Sequence, residues 1–199
     1  MANEKAALLV VDVQNDFLPG GALGVPEGHV VIPVLNEYLR RFAEAGLPIY
    51  ASRDWHPEET SHFQEFGGPW PPHCVQGTSG AEFHPDLELP PSTVLITKGT
   101  DPEEDAYSAF HGTTDEGESL ADRLQRDGVT HLYIGGLATD YCVRASALDA
   151  RRLGLEVTLL IDASRGVDVQ KGDSERAIEE MTAHGVKLGT LETVELVTS

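Results

Sequence analysis

Cys142 sits in the run Gly135-Gly136-Leu137-Ala138-Thr139-Asp140-Tyr141-Cys142-Val143-Arg144, where an apolar stretch passes through glycines into an amphipathic one. A strand-to-helix turn of this kind sets a thiol where free N–H groups and the positive end of a helix face a crevice. The thiol is then expected to ionise readily and to attack carbonyl carbon. The N–H groups of Ala138 and Cys142, carried round to one point by the turn, are the natural donors to a developing oxyanion. Two more polar residues end apolar runs: Asp12 follows Leu8-Leu9-Val10-Val11, and Lys98 follows Val94-Leu95-Ile96-Thr97. Ligands of open parallel sheets bind beyond the carboxyl ends of the strands, so acid, cation and thiol are expected on one rim. There Asp12 would take the thiol proton and pass it to a leaving amine, while Lys98 offsets the neighbouring negative charge. Taken singly, each has a plainer role: a packed cysteine, a turn-capping aspartate, a solvent-facing lysine. Together they point to acyl transfer.

A second group of donors comes after the second strand. Asp54-Trp55-His56 is first, then His62, then Trp70-Pro71-Pro72-His73-Cys74. One carboxylate with two or three imidazoles suits zinc, manganese or iron(II), with open positions for water or a ligand nitrogen. Asp54 and His56 alternate on one face of an extended segment, so both can reach one ion. Cys74 reads as a packed thiol beside His73, and His29, His84, His111, His131 and His184 read as surface residues.

The elements that must position these groups alternate along the chain. Apolar periodicity predicts strands over Ala6–Val13, Pro48–Ser52, Thr93–Thr97, His131–Ile134, Glu156–Ile161 and Lys187–Leu191. Helices are predicted over Val30–Ala45, Leu120–Arg126, Cys142–Leu153 and Asp173–His184. The fold class is therefore α/β: three layers, α/β/α, around a mostly parallel six-stranded sheet. Val143, Ala147, Ala150 and Leu153 recur at helical spacing and should face the sheet, with Asp140 or Thr139 capping the helix start. Residues 54–91 break the periodicity with prolines and glycines, and a loop that long inside a compact unit is expected to be functional. The 199 residues suit one domain, 1–199, with this metal-binding loop inserted.

Composition narrows the partners. Fourteen basic against 33 acidic residues give a formal charge of −19, which opposes binding to nucleic acid or anionic membranes. No apolar run approaches the roughly 20 residues of a membrane span. The two cysteines lack framework spacing, and with no export signal visible the chain is expected to be cytoplasmic. The oligomeric state, including a homo-oligomer, stays open.

Several motifs in one order resemble the isochorismatase-like cysteine hydrolases and, within them, the nicotinamidases. The resemblance spans nearly the whole chain and is carried by Asp12-Val13-Gln14-Asn15-Asp16-Phe17, Gly20-Gly21-Ala22-Leu23 and Val25-Pro26 near the start. It continues in Ser52-Arg53-Asp54-Trp55-His56-Pro57, Trp70 to Thr78, Lys98-Gly99 and Ala138 to Val143. It implies Asp12, Lys98 and Cys142 as the catalytic trio, an Ala138/Cys142 oxyanion hole, and Asp54, His56 and His73 as ligands of one divalent metal, zinc foremost. It further implies that Phe17 and Trp70 sandwich an aromatic substrate, that a cis peptide lies near Ala138-Thr139, and that nicotinamide, with pyrazinamide as a possible analogue, is hydrolysed through a thioester. The sequence departs from the pattern at one point. Where many nicotinamidases carry a histidine four residues after the one matching His56, this chain has Thr60, with His62 two places on. His62 and water are both open as the remaining ligand. The rival readings are another amidase or an isochorismatase of the same superfamily, and a non-catalytic metal- or ligand-binding protein.

Overall fold

The computed structural model describes residues 5–196. Its strands are β1 (Ala6–Val11), β2 (Ile49–Asp54), β3 (Val94–Lys98), β4 (His131–Leu137), β5 (Glu156–Arg165) and β6 (Lys187–Gly189), and its α-helices are α1 (Val31–Glu44), α2 (Leu120–Arg126), α3 (Arg144–Arg152) and α4 (Asp173–Ala183). The strands form one sheet in the order β3-β2-β1-β4-β5-β6, and every pairing between them is parallel. Among the described residues no helix is long and apolar enough to cross a membrane.

Strand alternation sorts the core into two slabs. Leu8 and Val10 of β1 pack on one side with Val31, Leu35, Tyr38, Leu39 and Phe42 of α1. Ala7, Leu9 and Val11 point the other way, onto Leu120 and Leu124 of α2, Ala147 and Ala150 of α3, and Ala177 and Met181 of α4. With about 1.5–3 kcal/mol gained for each large apolar side chain buried, this double coverage is what makes a continuous apolar β1 stable. The expected three-layer architecture is thus present, with a sheet that is wholly parallel.

Most element boundaries shift by one to a few residues from the sequence reading, and local causes are visible for some of them. β1 stops at Val11 because Asp12 turns to φ 51, in the left-handed region that aspartate tolerates. β5 runs on to Arg165 through a register shift against β4 between Ile134 and Gly136. Leu153, expected on the sheet, lies past the end of α3 just before Gly154 at φ 86, and is 57% exposed.

The order of the strands reverses between β1 and β4, which opens a crevice at their carboxyl ends. Gly136 makes that approach possible. It pairs with Val11 at φ 121, and a Cβ there would run into the Val11 backbone. Gly136→Ala is therefore expected to destabilise the fold by more than about 1 kcal/mol. A urea midpoint equal to that of the unaltered protein would contradict this.

Candidate active site

Four adjacent strands each deliver one group to the same spot. Asp12 comes just after β1, Asp54 and Lys98 are the last residues of β2 and β3, and Cys142 comes after β4. Lys98 is 1% exposed, and its Nζ lies 2.8 Å from Asp12 Oδ2, in direct contact with Asp54 Oδ1, 3.0 Å from the Ala106 carbonyl and 3.7 Å from Cys142 Sγ. Ligand atoms of Asp12, Asp54 and Cys142 lie within 4.8 Å of one another. Ser52 Oγ donates to Asp12 Oδ1 at 2.7 Å. Asp12 Oδ2 faces the ammonium without a well-formed hydrogen bond, which leaves it able to receive a proton from the thiol.

Burial sets the charges here. It works against the Lys98 ammonium, but Asp12 and Asp54 hold that group charged well above the usual lysine range. Burial also opposes ionisation of Asp54, yet the Lys98 ammonium keeps its carboxyl below the usual carboxylate range. For Asp12 burial prevails over the pull of Lys98, and nearby Asp54 adds to it, so its affinity for a proton is raised. For Cys142 burial outweighs Lys98 as well, and Asp12 and Asp54 push the same way, so the thiol lies well above its ordinary range. This reverses the expectation of a readily ionised thiol: the helix start is present, but loss of water and two neighbouring carboxylates dominate. Alkylation of Cys142 by iodoacetamide in the free protein should still be accelerating above about pH 8.5, the ordinary thiol value. Peptide mapping that finds a plateau near neutrality would show the opposite sign.

The turn that carries Cys142 is wider than an ordinary helix start. Residues Thr139–Val143 form a π-type turn leading into α3, and the Ala138 carbonyl accepts from both Tyr141 N and Val143 N at 3.1 Å. The cis peptide is Leu137-Ala138, one bond before the place the resemblance implied. Neither Thr139 nor Asp140 caps the helix. Thr139 Oγ1 pairs with Ser164 Oγ at 2.5 Å, and the Asp140 carboxylate accepts from Val167 N and Asp168 N, both at 2.9 Å, so these side chains fasten the end of β5 and the segment after it. Ser146, which the sequence reading missed, holds the turn by donating to the Cys142 carbonyl at 2.7 Å while accepting from Ala109 N at 2.9 Å. Its position four residues after the thiol was the available signal.

The second group of donors lies beside the first. Asp54, His56 and His73 are all buried, with ligand atoms within 4.8 Å of one another. His56 Nδ1 bonds the Gly99 carbonyl at 2.9 Å and His73 Nδ1 bonds the Pro71 carbonyl at 2.8 Å, which fixes both as Nδ1–H donors and leaves both Nε2 atoms as acceptors near Asp54 Oδ2. His62 is 5% exposed, stands 5.0 Å from His56 ring to ring, and has a buried Nε2 with no partner. An orphaned acceptor at this spot and a set of one carboxylate with imidazoles fit a divalent first-row ion. Gln14 was also missed. Its side-chain oxygen accepts from Asp54 N and its amide donates to Asp54 O, each at 2.8 Å, so it continues the β1–β2 ladder by one rung and holds the carboxylate in place.

Residues 6–193 match the Isochorismatase domain model. The chain belongs to the isochorismatase family. It is 41% identical to a nicotinamidase of Escherichia coli strain K12 over 93% of this chain and 94% of that one. It is 38% identical to a nicotinamidase/pyrazinamidase of Mycobacterium tuberculosis over 92% of this chain and 97% of that one. Among solved structures, a pyrazinamidase of Pyrococcus horikoshii in complex with zinc superposes with a TM-score of 0.87 and 53% identity, covering 94% of this chain and 99% of that one.

In this isochorismatase-family chain one aromatic pocket joins Cys142 to the second group of donors, with Phe17, Trp70, Tyr107, Ala138, Asp54 and the three imidazoles in its lining. Phe17 packs 5.5 Å from the His73 ring, and Trp70 meets Tyr141 edge-on at 5.2 Å while its Nε1 donates to Tyr107 OH at 2.9 Å. Tyr107 and Tyr141 thus join Phe17 and Trp70 as walls. Cys74 is packed as expected, fully buried with its thiol pushed up by burial. His131 is no surface residue: it is buried, paired with Thr158 Oγ1 at 2.8 Å and stacked on Tyr133.

Proposed function

We propose that this chain hydrolyses nicotinamide to nicotinate and ammonia through a thioester on Cys142, acting as one domain in a reducing, cytoplasmic setting. The observation that carries the reading is that Cys142, held against Lys98 and Asp12, opens into one aromatic pocket shared with a buried carboxylate–imidazole cluster. The likeness to nicotinamidases and to a zinc-bound pyrazinamidase supports it.

In this reading Asp54, His56, His73 and His62 hold one divalent ion, zinc before iron or manganese. Bound there, the ion supplies a Lewis acid for the pyridine nitrogen. Phe17 and Trp70 grip the ring faces, with Tyr107 and Tyr141 closing the wall, so that the carboxamide meets the thiol. Asp12 accepts the Cys142 proton as sulfur bonds to the carboxamide carbon, and the amides of Ala138 and Cys142 receive the negative oxygen. Lys98 keeps the carboxylates and the nascent thiolate compatible. The C–N bond then breaks, and the nitrogen leaves as ammonia with the proton from Asp12. A water that gives its proton to Asp12 cleaves the thioester, nicotinate departs, and the thiol is restored. Pyrazinamide keeps a ring nitrogen at the same distance from its carboxamide and is the natural second substrate.

Ammonia release from nicotinamide tests the reading. Cys142→Ala is expected to lower kcat by on the order of 10⁴-fold or more while metal content and folding persist. Chelation should remove activity, and zinc, manganese or iron(II) should restore it. Full turnover in the alanine variant would exclude the thioester. Activity untouched by metal removal would favour a metal-independent amidase of the family.

A further inference from the structure

All three buried imidazoles of the pocket are held by their outer nitrogen, but by different kinds of acceptor. His56 and His73 use backbone carbonyls of Gly99 and Pro71. His62 uses a carboxylate: its Nδ1 pairs with Asp105 Oδ1 at 2.9 Å. The Asp105 side chain is 70% exposed whereas that of His62 is 5% exposed, so the pair joins the protein surface to the pocket floor. The inner Nε2 of His62 is left buried and unpartnered.

We infer that Asp105 is a positioning residue for the metal. By accepting from Nδ1–H it fixes the tautomer in which His62 Nε2 is a lone-pair donor and holds the ring aimed inward. This is the carboxylate–histidine–metal arrangement, whose outer partner typically changes metal affinity 10- to 100-fold. The inference rests on the proposed metal site, in which His62 is the fourth protein ligand.

The segment carrying Asp105 is well placed for this. Pro102 O accepts from Ser61 N at 2.8 Å and from Ser61 Oγ at 2.9 Å, with Thr60 Oγ1 at 3.1 Å, so residues on both sides of the pair are already tied together. The next residue, Ala106, gives its carbonyl to Lys98 Nζ at 3.0 Å, and Tyr107 comes next as a pocket wall. Metal binding at His62 would therefore tighten the same stretch that supports the catalytic ammonium and the substrate's aromatic wall.

Zinc affinity, measured by competition with a chromogenic chelator, separates the possibilities without relying on turnover. Asp105→Ala is expected to weaken zinc binding about tenfold, with Asp105→Asn, which keeps the acceptor but not the charge, in between. His62→Ala should weaken it more, and adding Asp105→Ala to His62→Ala should change nothing further. Thermal unfolding of the metal-free Asp105→Ala protein should match the parent, because the carboxylate is largely exposed. If His62→Ala weakens zinc binding but Asp105→Ala does not, the positioning role is overturned while the four-ligand reading survives. Unchanged affinity in His62→Ala removes that reading itself. Full additivity of the two substitutions shows that Asp105 acts by some route other than His62, which also overturns the inference.

Discussion

The structure depends on one buried cation. Lys98 places an ammonium group in a dry interior, where an unpaired charge would cost several kcal/mol, and only the two carboxylates of Asp12 and Asp54 make that tolerable. The three charges need each other. Removing the lysine would leave two acids facing one another beside a thiol, and removing either acid would weaken the hold on the ammonium. Since the groups arrive from three neighbouring strands, the ion cluster also ties the carboxyl ends of β1, β2 and β3 together.

Asp54 links this cluster to the donor set. One of its oxygens contacts Lys98, while the other faces His56 and His73 at 3.4 and 4.0 Å. A change of charge on the imidazole side is therefore felt at Lys98 and, through Lys98, at Asp12 and Cys142. That shared field explains why the helix start does not by itself govern the thiol. A helix end contributes a fraction of a charge, whereas burial and two full carboxylates act on the same sulfur.

The long irregular segment after β2 is ordered by bonds that do not belong to any extended sheet or helix. His56 N donates to the Cys74 carbonyl at 2.9 Å and Gln76 N donates to the His56 carbonyl at 2.8 Å, a short parallel pairing that sets His56 beside His73. Asp16 accepts from Cys74 N at 2.8 Å, and Gln14 reaches both Asp54 and the Ala81 carbonyl. Gly99 lies against the His56 ring so closely that a Cβ would sit 2.6 Å from its Cε1. Side chains from the first turn after β1 thus do the work that a regular ladder does elsewhere.

Local pattern in the chain was enough for the architecture and for the convergence of Asp12, Lys98 and Cys142. Apolar runs ending in Asp12 and Lys98, with the glycine-rich approach to Cys142, assign an α/β sheet and bring the three groups to one rim, because strand ends in parallel sheets converge. Spacing also sufficed to bring Asp54, His56 and His73 forward as a donor set. Other assignments depend on distance in three dimensions and became visible only once the chain was folded. Asp140 serves the segment after β5 rather than its own helix, Gln14 acts on Asp54 forty residues away, and His131 is buried against Thr158. The ionisation of the thiol belongs with these, because it is set by how much water and how many carboxylates surround the sulfur. Periodicity reports which side of a strand is apolar, but not which side chains from separate segments end up sharing one dry volume.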